Sequence, residues 1–378
     1  MRARPVRRHR IRDRARSTGN RVSLLHDGEQ ALPAMLQAIR AAEYEILLEM
    51  YWFDSDRTGR EFAEALMERS RAGVCVRVIY DAVGSIEADA EMFDLMRTAG
   101  CEIFEFNPIA PWRQRFSFGR LNQRDHRKLL VVDGRVAITG GFNIADHWAP
   151  KHAGGGGFRD DGIQLVGAAA GELRDLFYRT FPKPALPLPA MSPELGDTEV
   201  TVLANDLLAE RRGIYDGYVN AIAKATRYII ICNSYFIPSS RVRKALARAV
   251  MRGVRVRVLV PRDTDVKVAQ LASRHLYGRL LSSGVEVNEW RGGVLHSKTA
   301  VIDDSWCTVG SFNFDARSIH NNLELNVAME SPPVATALRT RVEMDLADSV
   351  AIDLDKWSKR SFVIRLIERF FFSLRWLL

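Results

Sequence analysis

The sequence predicts an α/β protein built from two similar halves, each a mostly β sheet flanked by helices. Two observations support this prediction. A strand–helix–strand pattern occurs twice along the 378-residue chain, and a motif of histidine, lysine and aspartate occurs twice at identical internal spacing. An internal repeat of this length indicates that one structural unit is built twice. Alternating strands and helices imply sheets that are covered on both faces.

The first repeat begins with a buried strand. Residues 44–52 read YEILLEMYW, and residues 228–236 read YIIICNSYF at the corresponding place in the second half. Each strand is followed by a helical pattern that runs through a glycine, Gly73 or Gly253, into a second strand rich in β-branched residues. Glycine after a basic helix end is a typical stop signal. Each half is therefore expected to contain a βαβ unit.

Composition divides the chain into five regions. We expect a basic N-terminal tail over residues 1–20, the first half over 21–181, a proline-rich linker over 182–197, the second half over 198–345 and a basic amphipathic C-terminal helix over 346–378. Prolines at this density resist regular structure, so the boundary between the halves is placed in the linker. The apolar residues near the C-terminus recur at helical spacing among lysines and arginines. This pattern fits a helix on a membrane surface or one docked on the body of the protein.

The chain carries a formal charge of +8. Such a charge favours polyanionic partners: nucleic acid, anionic lipid surfaces or phosphate-bearing substrates. No apolar segment follows the basic N-terminus, so no secretory signal is predicted, and no apolar run is long enough to span a bilayer. The four widely spaced cysteines show no metal-ligand spacing and are expected to be buried thiols in a reducing compartment.

The other repeated feature is the motif of histidine, lysine and aspartate, which is followed by two small residues and an asparagine in both halves. Its members are His126, Lys128, Asp133 and Asn143 in the first half and His296, Lys298, Asp303 and Asn313 in the second. A histidine and a lysine two residues apart on a strand point to the same face, so both can reach one phosphate. A lone histidine on an apolar strand would indicate a hydrogen-bonded core residue. Repetition of the whole pattern favours a functional site instead.

This pattern fits the chemistry of a phosphodiester without metal or cofactor. One imidazole attacks phosphorus to form a phosphohistidine, and the other protonates the leaving alkoxide and then deprotonates the acceptor hydroxyl. The lysines and asparagines would stabilise the charge that develops on the phosphoryl oxygens. The two aspartates of the motifs, Asp133 and Asp303, are grouped with the histidines and lysines as candidate catalytic residues. Because they lie at strand ends, they would support the site rather than react, or else open the following turn.

A nucleophilic imidazole must be neutral, and its far nitrogen needs a hydrogen-bond partner. The acidic candidates downstream of each motif are Asp160 and Glu324. The alternative for each is an ordinary surface carboxylate.

The paired motifs, H-x-K-x4-D followed by G-[GS]-x-N, resemble those of the phospholipase D superfamily over about residues 21–345. Within it the chain is similar to bacterial cardiolipin synthases of the shorter B type, through residues 24–30 (LLHDGEQ), 81–85 (DAVGS) and 273–277 (SRHLY). The resemblance implies phospholipase D-like halves with one active site at their pseudo-two-fold interface. It also implies His126 as the nucleophile and His296 as the acid and base.

The reaction implied by this resemblance is transfer of a phosphatidyl group from phosphatidylglycerol, or a related donor such as phosphatidylethanolamine, to a second phosphatidylglycerol, which yields cardiolipin. The partners expected are these phospholipids and an anionic membrane surface, with no nucleic acid. The expected location is peripheral, on the cytoplasmic side of the bacterial inner membrane, through the two basic termini.

Two other functions remain open from the sequence. With water as acceptor, the same chemistry would make a phospholipase D or a phosphodiesterase such as a nuclease, and a basic surface also suits nucleic acid. The small nucleases of the superfamily, however, carry one motif per chain and dimerise. The second alternative, a non-catalytic lipid-binding protein, is opposed by the six intact histidine, lysine and aspartate positions.

Overall fold

The computed structural model describes residues 16–113, 115–189, 196–206 and 212–376. The strands in these ranges are β1 (Ser17–His26), β2 (Glu45–Met50), β3 (Cys75–Asp81), β4 (Glu102–Phe106), β5 (Arg124–Asp125), β6 (Lys128–Val132), β7 (Val136–Gly140), β8 (Asp161–Val166), β9 (Thr198–Asn205), β10 (Tyr228–Asn233), β11 (Arg255–Asp263), β12 (Glu286–Val294), β13 (Lys298–Ile302), β14 (Trp306–Gly310), β15 (Asn322–Glu330) and β16 (Ser349–Ala351). The α-helices are α1 (Asp27–Arg40), α2 (Arg57–Arg71), α3 (Ala90–Thr98), α4 (Ala168–Tyr178), α5 (Gly213–Lys224), α6 (Ser240–Met251), α7 (Lys267–Ser282), α8 (Ala316–His320), α9 (Pro332–Ala347), α10 (Leu354–Ser358) and α11 (Phe362–Ser373).

The two halves have the same strand order. The first half runs β1-β8-β7-β6-β2-β3-β4 across the sheet, and the second runs β9-β15-β14-β13-β10-β11-β12, with β16 added at its edge. In each half three strands are parallel neighbours and the rest pair in antiparallel fashion, for example β2 with β3 and β2 with β6. The predicted α/β class with two similar halves is therefore confirmed.

The two half-sheets join into one continuous sheet. β1 pairs with β9 in antiparallel register, with Ser17 opposite Val200 and Asn20 opposite Thr198. The core between the halves is formed by apolar residues of β8, β14 and β15 packed against α4 and α9. Two further cores lie under α1 to α3 in the first half and under α5 to α7 in the second.

Two of the predicted regions differ from the structure in detail, and the described part of a third, the linker, packs on the first half. β1 begins at Ser17, inside the stretch predicted as a tail over residues 1–20, because residues 17–20 pair with β9. Residues 1–15 lie outside the described ranges. The described part of the linker lies against the first half, where Arg77 donates to the Pro184 carbonyl at 2.8 Å and Lys183 donates to Glu102 at 2.9 Å.

The second difference is at the C-terminus, where a single helix over residues 346–378 was predicted. The chain there forms the edge strand β16 and two helices, α10 and α11, and residues 377 and 378 are outside the described ranges. Asp353 caps α10 and Ser361 caps α11 through their side chains, which interrupts the helical pattern twice. No helix in the described parts of the chain is long and apolar enough to cross a membrane.

Candidate active site

The two repeated motifs meet where the halves face each other. His126 lies just before β6 and His296 just before β13. The backbone N–H of His126 donates to the carbonyl of Leu323 at 3.0 Å, and that of His296 donates to the carbonyl of Arg159 at 2.7 Å. Each motif histidine is thus fixed by a backbone bond to the opposite half.

The carboxylates that hold the two imidazoles are exchanged between the halves. Nδ1 of His126 lies 3.0 Å from Oε2 of Glu324, and Nδ1 of His296 lies 2.8 Å from Oδ2 of Asp160. Both carboxylates directly follow the residues whose carbonyls accept from the histidine backbones. The sequence predicted the two carboxylates as partners without indicating which histidine each one serves, and the structure pairs them crosswise. With both Nδ1 atoms occupied, Nε2 is the nitrogen left to each ring for a substrate.

The two carboxylates have different additional donors. Glu324 accepts from the hydroxyls of Ser311 at 2.5 Å and Ser318 at 2.7 Å. Asp160 accepts from the indole N–H of Trp148 at 2.9 Å. Gly141, the counterpart of Ser311, has no room for a side chain, because a Cβ there would lie 2.1 Å from the Asp160 carboxylate. The small pair in each motif therefore gives one carboxylate space and the other a hydroxyl.

The motif lysines are buried beside the histidines. The Lys128 ammonium donates to the His126 carbonyl at 2.7 Å and lies 5.0 Å from the ring centre of Tyr51. The Lys298 ammonium donates to Ser234 at 2.8 Å and also to the carbonyl of His296. Burial, followed by repulsion between the two lysines, lowers the pKa of Lys128 to about 7. Burial alone, against the attraction of three carboxylates, lowers the pKa of Lys298 to about 8.

Burial and nearby charges lower the pKa of both imidazoles. Burial lowers the pKa of His126 well below its ordinary value, and the charges of Lys128 and Lys298 lower it further. Burial and Lys298 also lower the pKa of His296, but Asp160 opposes this shift through charge and hydrogen bond. Of the two rings, His126 is therefore the better neutral nucleophile, and His296 keeps more affinity for a proton.

The pKa values of the two carboxylates also differ from each other. Burial raises the pKa of Glu324 to about 7, despite Lys128 and the serine hydroxyls. For Asp160 burial acts in the same direction but is outweighed by His296 and Lys298, so that its pKa falls below the ordinary value. Asp160 is therefore the more firmly ionised of the pair.

The motif asparagines are buried near this centre but have different partners. Asn143 accepts from the backbone N–H of Trp52 at 3.2 Å through its amide oxygen. Asn313 is 2% exposed, and its amide oxygen meets no donor among the described residues. The amide oxygen of Asn313 is therefore not used in a hydrogen bond that holds the fold, and the amide can turn towards a ligand.

The motif aspartates are not part of the centre, which corrects their prediction as catalytic residues. Asp133 follows β6 and accepts from the backbone N–H groups of residues 43, 44 and 45 at 2.8 to 2.9 Å. Asp303 follows β13 and accepts from those of residues 226, 227 and 228 at 2.7 to 2.8 Å. Each lies one strand of five residues, roughly 16 Å, from its lysine. Both close the loop before the neighbouring strand, which is a structural role.

Several residues around the centre were not predicted. Tyr51 packs edge-on against His126 with ring centres 5.0 Å apart, and Trp148 does the same to His296 at 5.2 Å. The Tyr235 hydroxyl donates to Asp265 at 2.7 Å, and the Asp265 charge acts on His296. Tyr51 and Tyr235 occupy the same position of the repeated strand segment, so the repeat itself contained the signal for this pair. Trp148 and Asp265 have no such signal.

Comparison with known proteins agrees with this arrangement. A family model described as "Cardiolipin synthase, PLD-like domain" matches residues 35–149 and 218–346. A cardiolipin synthase from Geobacillus kaustophilus is 32% identical over 369 residues, which cover 95% of this chain and 73% of that protein. A probable cardiolipin synthase from Bacillus subtilis is 31% identical over 365 residues, covering 94% and 71% respectively.

Two solved structures share the fold at low sequence identity. A phosphatidylserine synthase from Haemophilus influenzae superposes with a TM-score of 0.73 at 13% identity, over 94% of this chain and 95% of that one. A polyphosphate kinase from Porphyromonas gingivalis gives a TM-score of 0.61 at 14% identity, over 94% of this chain and 53% of that one.

Fold and paired motifs together define an enzyme of the phospholipase D superfamily that carries both halves in one chain. The family model matches more than half of the residues of this chain, and the relatives align over nearly its whole length. These matches identify the family within the superfamily. The chain belongs to the cardiolipin synthase family of this superfamily and is an enzyme of that phosphatidyltransferase type.

Proposed function

We propose that this enzyme transfers a phosphatidyl group from one phosphatidylglycerol to the hydroxyl of a second, producing cardiolipin and releasing glycerol. Phosphatidylethanolamine is proposed as a second donor, with ethanolamine released. The observation that carries the proposed chemistry is the crosswise pair of histidine–carboxylate hydrogen bonds, which leaves the Nε2 atoms of both rings free at one buried centre.

In the first step Nε2 of His126 attacks the phosphorus of the donor. The bond from phosphorus to the glycerol oxygen breaks, and His296, which enters this step as the imidazolium, gives that oxygen its Nε2 proton, which yields a phosphatidyl-histidine and free glycerol. The lower proton affinity of His126 and the greater one of His296 support this assignment of roles.

In the second step His296 takes the proton of an acceptor hydroxyl from the second phosphatidylglycerol. The resulting alkoxide attacks phosphorus, the bond from phosphorus to His126 breaks, and cardiolipin leaves. Lys128, Lys298 and the amides of Asn143 and Asn313 would stabilise the phosphoryl oxygens in both steps. Glu324 and Asp160 keep each Nδ1–H in place, so that neutral His126 has its lone pair on Nε2 and the proton that His296 gives and takes is the one on Nε2.

We also propose attachment to an anionic membrane surface, and the exposed side of α11 supports it. Most apolar side chains of this helix face solvent; those more than 40% exposed are Phe362, Val363, Ile364, Leu366, Ile367 and Phe370. Its buried side instead holds Glu368, which pairs with Arg360 at 2.6 Å and Arg274 at 3.4 Å. Phe371 and Phe372 near the end of the helix also pack inwards. The exposed apolar side that remains suits insertion into the interface of a bilayer. This supports a peripheral location, which we propose on the cytoplasmic face of the bacterial inner membrane.

The experiment that tests the reaction uses purified full-length chain with vesicles of phosphatidylglycerol, and separately with single-stranded DNA. We expect cardiolipin and glycerol in equal amounts from the first and no cleavage in the second. Phosphatidic acid without cardiolipin would instead indicate a hydrolase, and cleaved DNA without cardiolipin a nuclease. His126→Ala serves as the control for contaminating activity.

A further inference from the structure

A cavity of about 390 Å³ lies away from the histidines, between the beginning of α6, the end of α7, α8 and the end of α11. Three arginines from three different segments line it: Arg243 of α6, Arg279 of α7 and Arg375 just after α11. His320 of α8 adds a fourth basic side chain, and no carboxylate is among the lining residues. This cluster is named the arginine pocket.

The three guanidinium groups remain available for a ligand. Arg243 donates to the Pro238 carbonyl at 2.7 Å and Arg375 to the Phe372 carbonyl at 3.0 Å, which uses a small share of the five N–H donors on each. None of the three has a carboxylate at ion-pair distance within the described ranges. Their proximity is costly in the empty state, because burial and the charges of Arg279 and Arg375 lower the pKa of Arg243.

The remaining walls favour an anion with an apolar part. Ser239 and Ser240 line the pocket at the start of α6, a helix of 12 residues whose N-terminal dipole also attracts negative charge. Ile237, Ile319 and Phe372 supply an apolar wall. Beyond Phe372 the outward apolar side of α11 begins, so that a charged headgroup in the pocket could continue into chains along that helix.

We propose that the arginine pocket binds the phosphodiester group of an anionic membrane phospholipid at a site separate from the catalytic centre. The two sites share α8 as a wall. Ser318 of this helix donates to Glu324 in the catalytic centre, whereas Ala316, Ile319 and His320 on its other side line the pocket. Lipid in the pocket therefore lies about one helix diameter, roughly 10 Å, from the catalytic centre and holds α11 at the bilayer. The choice of a lipid rests on the function proposed above.

The test is hydrogen exchange on the full chain carrying His126→Ala, so that lipid is not consumed. The probes are dihexanoylphosphatidylglycerol below its micelle concentration and, separately, inorganic phosphate. We expect the short-chain lipid to protect peptides covering residues 237–243 and 316–320. The substitution pair Arg243→Gln and Arg279→Gln should raise the concentration needed for this protection at least about tenfold, because two charge-assisted hydrogen bonds to phosphate are lost.

The matched control removes the same charge from the exposed side of α6 through Lys244→Gln and Arg248→Gln, and it should change that concentration less than about twofold. Arg375→Gln, which leaves α6 and α7 intact, should shift it in the same direction as the pocket pair, and it covers the case in which that pair fails to fold. Three results would overturn the proposal: no protection of these peptides, equal protection by inorganic phosphate, or equal loss in the control. Protection at the pocket without protection around His296 would contradict phosphatidylglycerol as the substrate while leaving the pocket in place.

Discussion

The chemistry proposed for the two histidines depends on burial as much as on their partners. Each imidazole has a carboxylate on Nδ1, which by itself would raise its pKa, and yet both values lie below that of an ordinary histidine. Loss of water around the ring and the nearby ammonium groups outweigh the carboxylates. His126 can therefore be a neutral nucleophile and still be oriented by the Glu324 carboxylate.

Replacement of either histidine by alanine should reduce phosphatidyl transfer at least about 1,000-fold, because one variant loses the nucleophile and the other the proton donor. Mass spectrometry of lipids made by the purified variants measures this, with circular dichroism to confirm the fold. Full activity of either variant would refute a mechanism with two histidines.

The carboxylates should matter through the rings that they hold. Asp160→Asn and Glu324→Gln keep the side-chain shape but can present an N–H to Nδ1, which favours the wrong tautomer, and we expect kcat to fall about 100-fold or more. The readout is kcat and KM on phosphatidylglycerol vesicles. A rise in KM with an unchanged kcat would mean that these residues act on binding instead.

The pH dependence of kcat/KM should have two limbs. On the acid side activity falls as His126 gains a proton, and this limb should lie below the ordinary histidine range because the pKa of His126 is lowered. On the alkaline side it falls as His296 and the lysines lose their protons; the pKa values of the lysines in the free enzyme are about 7 for Lys128 and about 8 for Lys298. A bound phosphodiester stabilises the charged lysines, so the alkaline limb of kcat should lie at higher pH than that of kcat/KM. Equal alkaline limbs in the two profiles would argue against contact between the lysines and phosphate.

The motif aspartates illustrate where sequence reasoning was wrong. Their repetition beside the histidines predicted a catalytic role, but each accepts three backbone N–H groups at the far end of its strand. A repeated residue can be repeated for the fold alone. We expect Asp303→Ala to lower the free energy of unfolding by about 1–2 kcal/mol and to leave kcat within a few-fold, as measured by urea unfolding and by turnover below the midpoint. A loss of activity without a loss of stability would instead support a catalytic role for Asp303.

At the scale of elements, the strands were easier to predict than the C-terminal helix. Segments such as β2 and β10 can be recognised from apolar runs bounded by turn signals, and these are local properties of the sequence. The helical period near the C-terminus was also visible. Which side of that helix faces the protein depends on Glu368 meeting Arg274 and Arg360, and these contacts are set by the tertiary structure.

The outward side of α11 can be tested without deleting the helix. We expect Leu366→Ser with Phe370→Ser to reduce co-sedimentation with phosphatidylglycerol vesicles at least about tenfold, because two exposed apolar side chains no longer enter the lipid. The control pair Ile86→Ser and Met344→Ser removes exposed apolar side chains from elsewhere and should leave binding unchanged. Equal co-sedimentation of the two double variants would show that α11 does not attach the protein to the vesicles.

At the scale of the whole molecule, the contact between the halves is polar as well as apolar. Arg159 of the first half, 2% exposed, lies 2.7 Å from Asp161 and 2.8 Å from Asp345 on α9 of the second half. Its neighbour along the chain is Asp160, so the same segment joins the halves and holds His296. The sequence predicted that the halves share a site. It could not predict the crosswise pairing, because residues 136 and 198 positions apart come together only in the folded chain.

Replacement of Arg159 by methionine should therefore affect stability and activity together. Two buried carboxylates would lose their cation, and we expect the free energy of unfolding to fall by about 3–5 kcal/mol. Urea unfolding measures this change, and turnover measured well below the midpoint should fall as His296 loses its position. Arg255→Met, which breaks an exposed pair with Glu286, is the control and should cost less than about 1 kcal/mol. A stability change no larger than in this control would show that the halves do not depend on Arg159.

The exchange of carboxylates between the halves has a consequence for how such an enzyme can diversify. A half that alters its carboxylate leaves its own histidine untouched and retunes the one across the interface. In this chain the two sides already differ: one carboxylate is an aspartate with glycine behind it, and the other is a glutamate with a serine hydroxyl. The two copies of the motif thereby place their histidines beside carboxylates of different proton affinity, which supports the unequal roles proposed for the two rings.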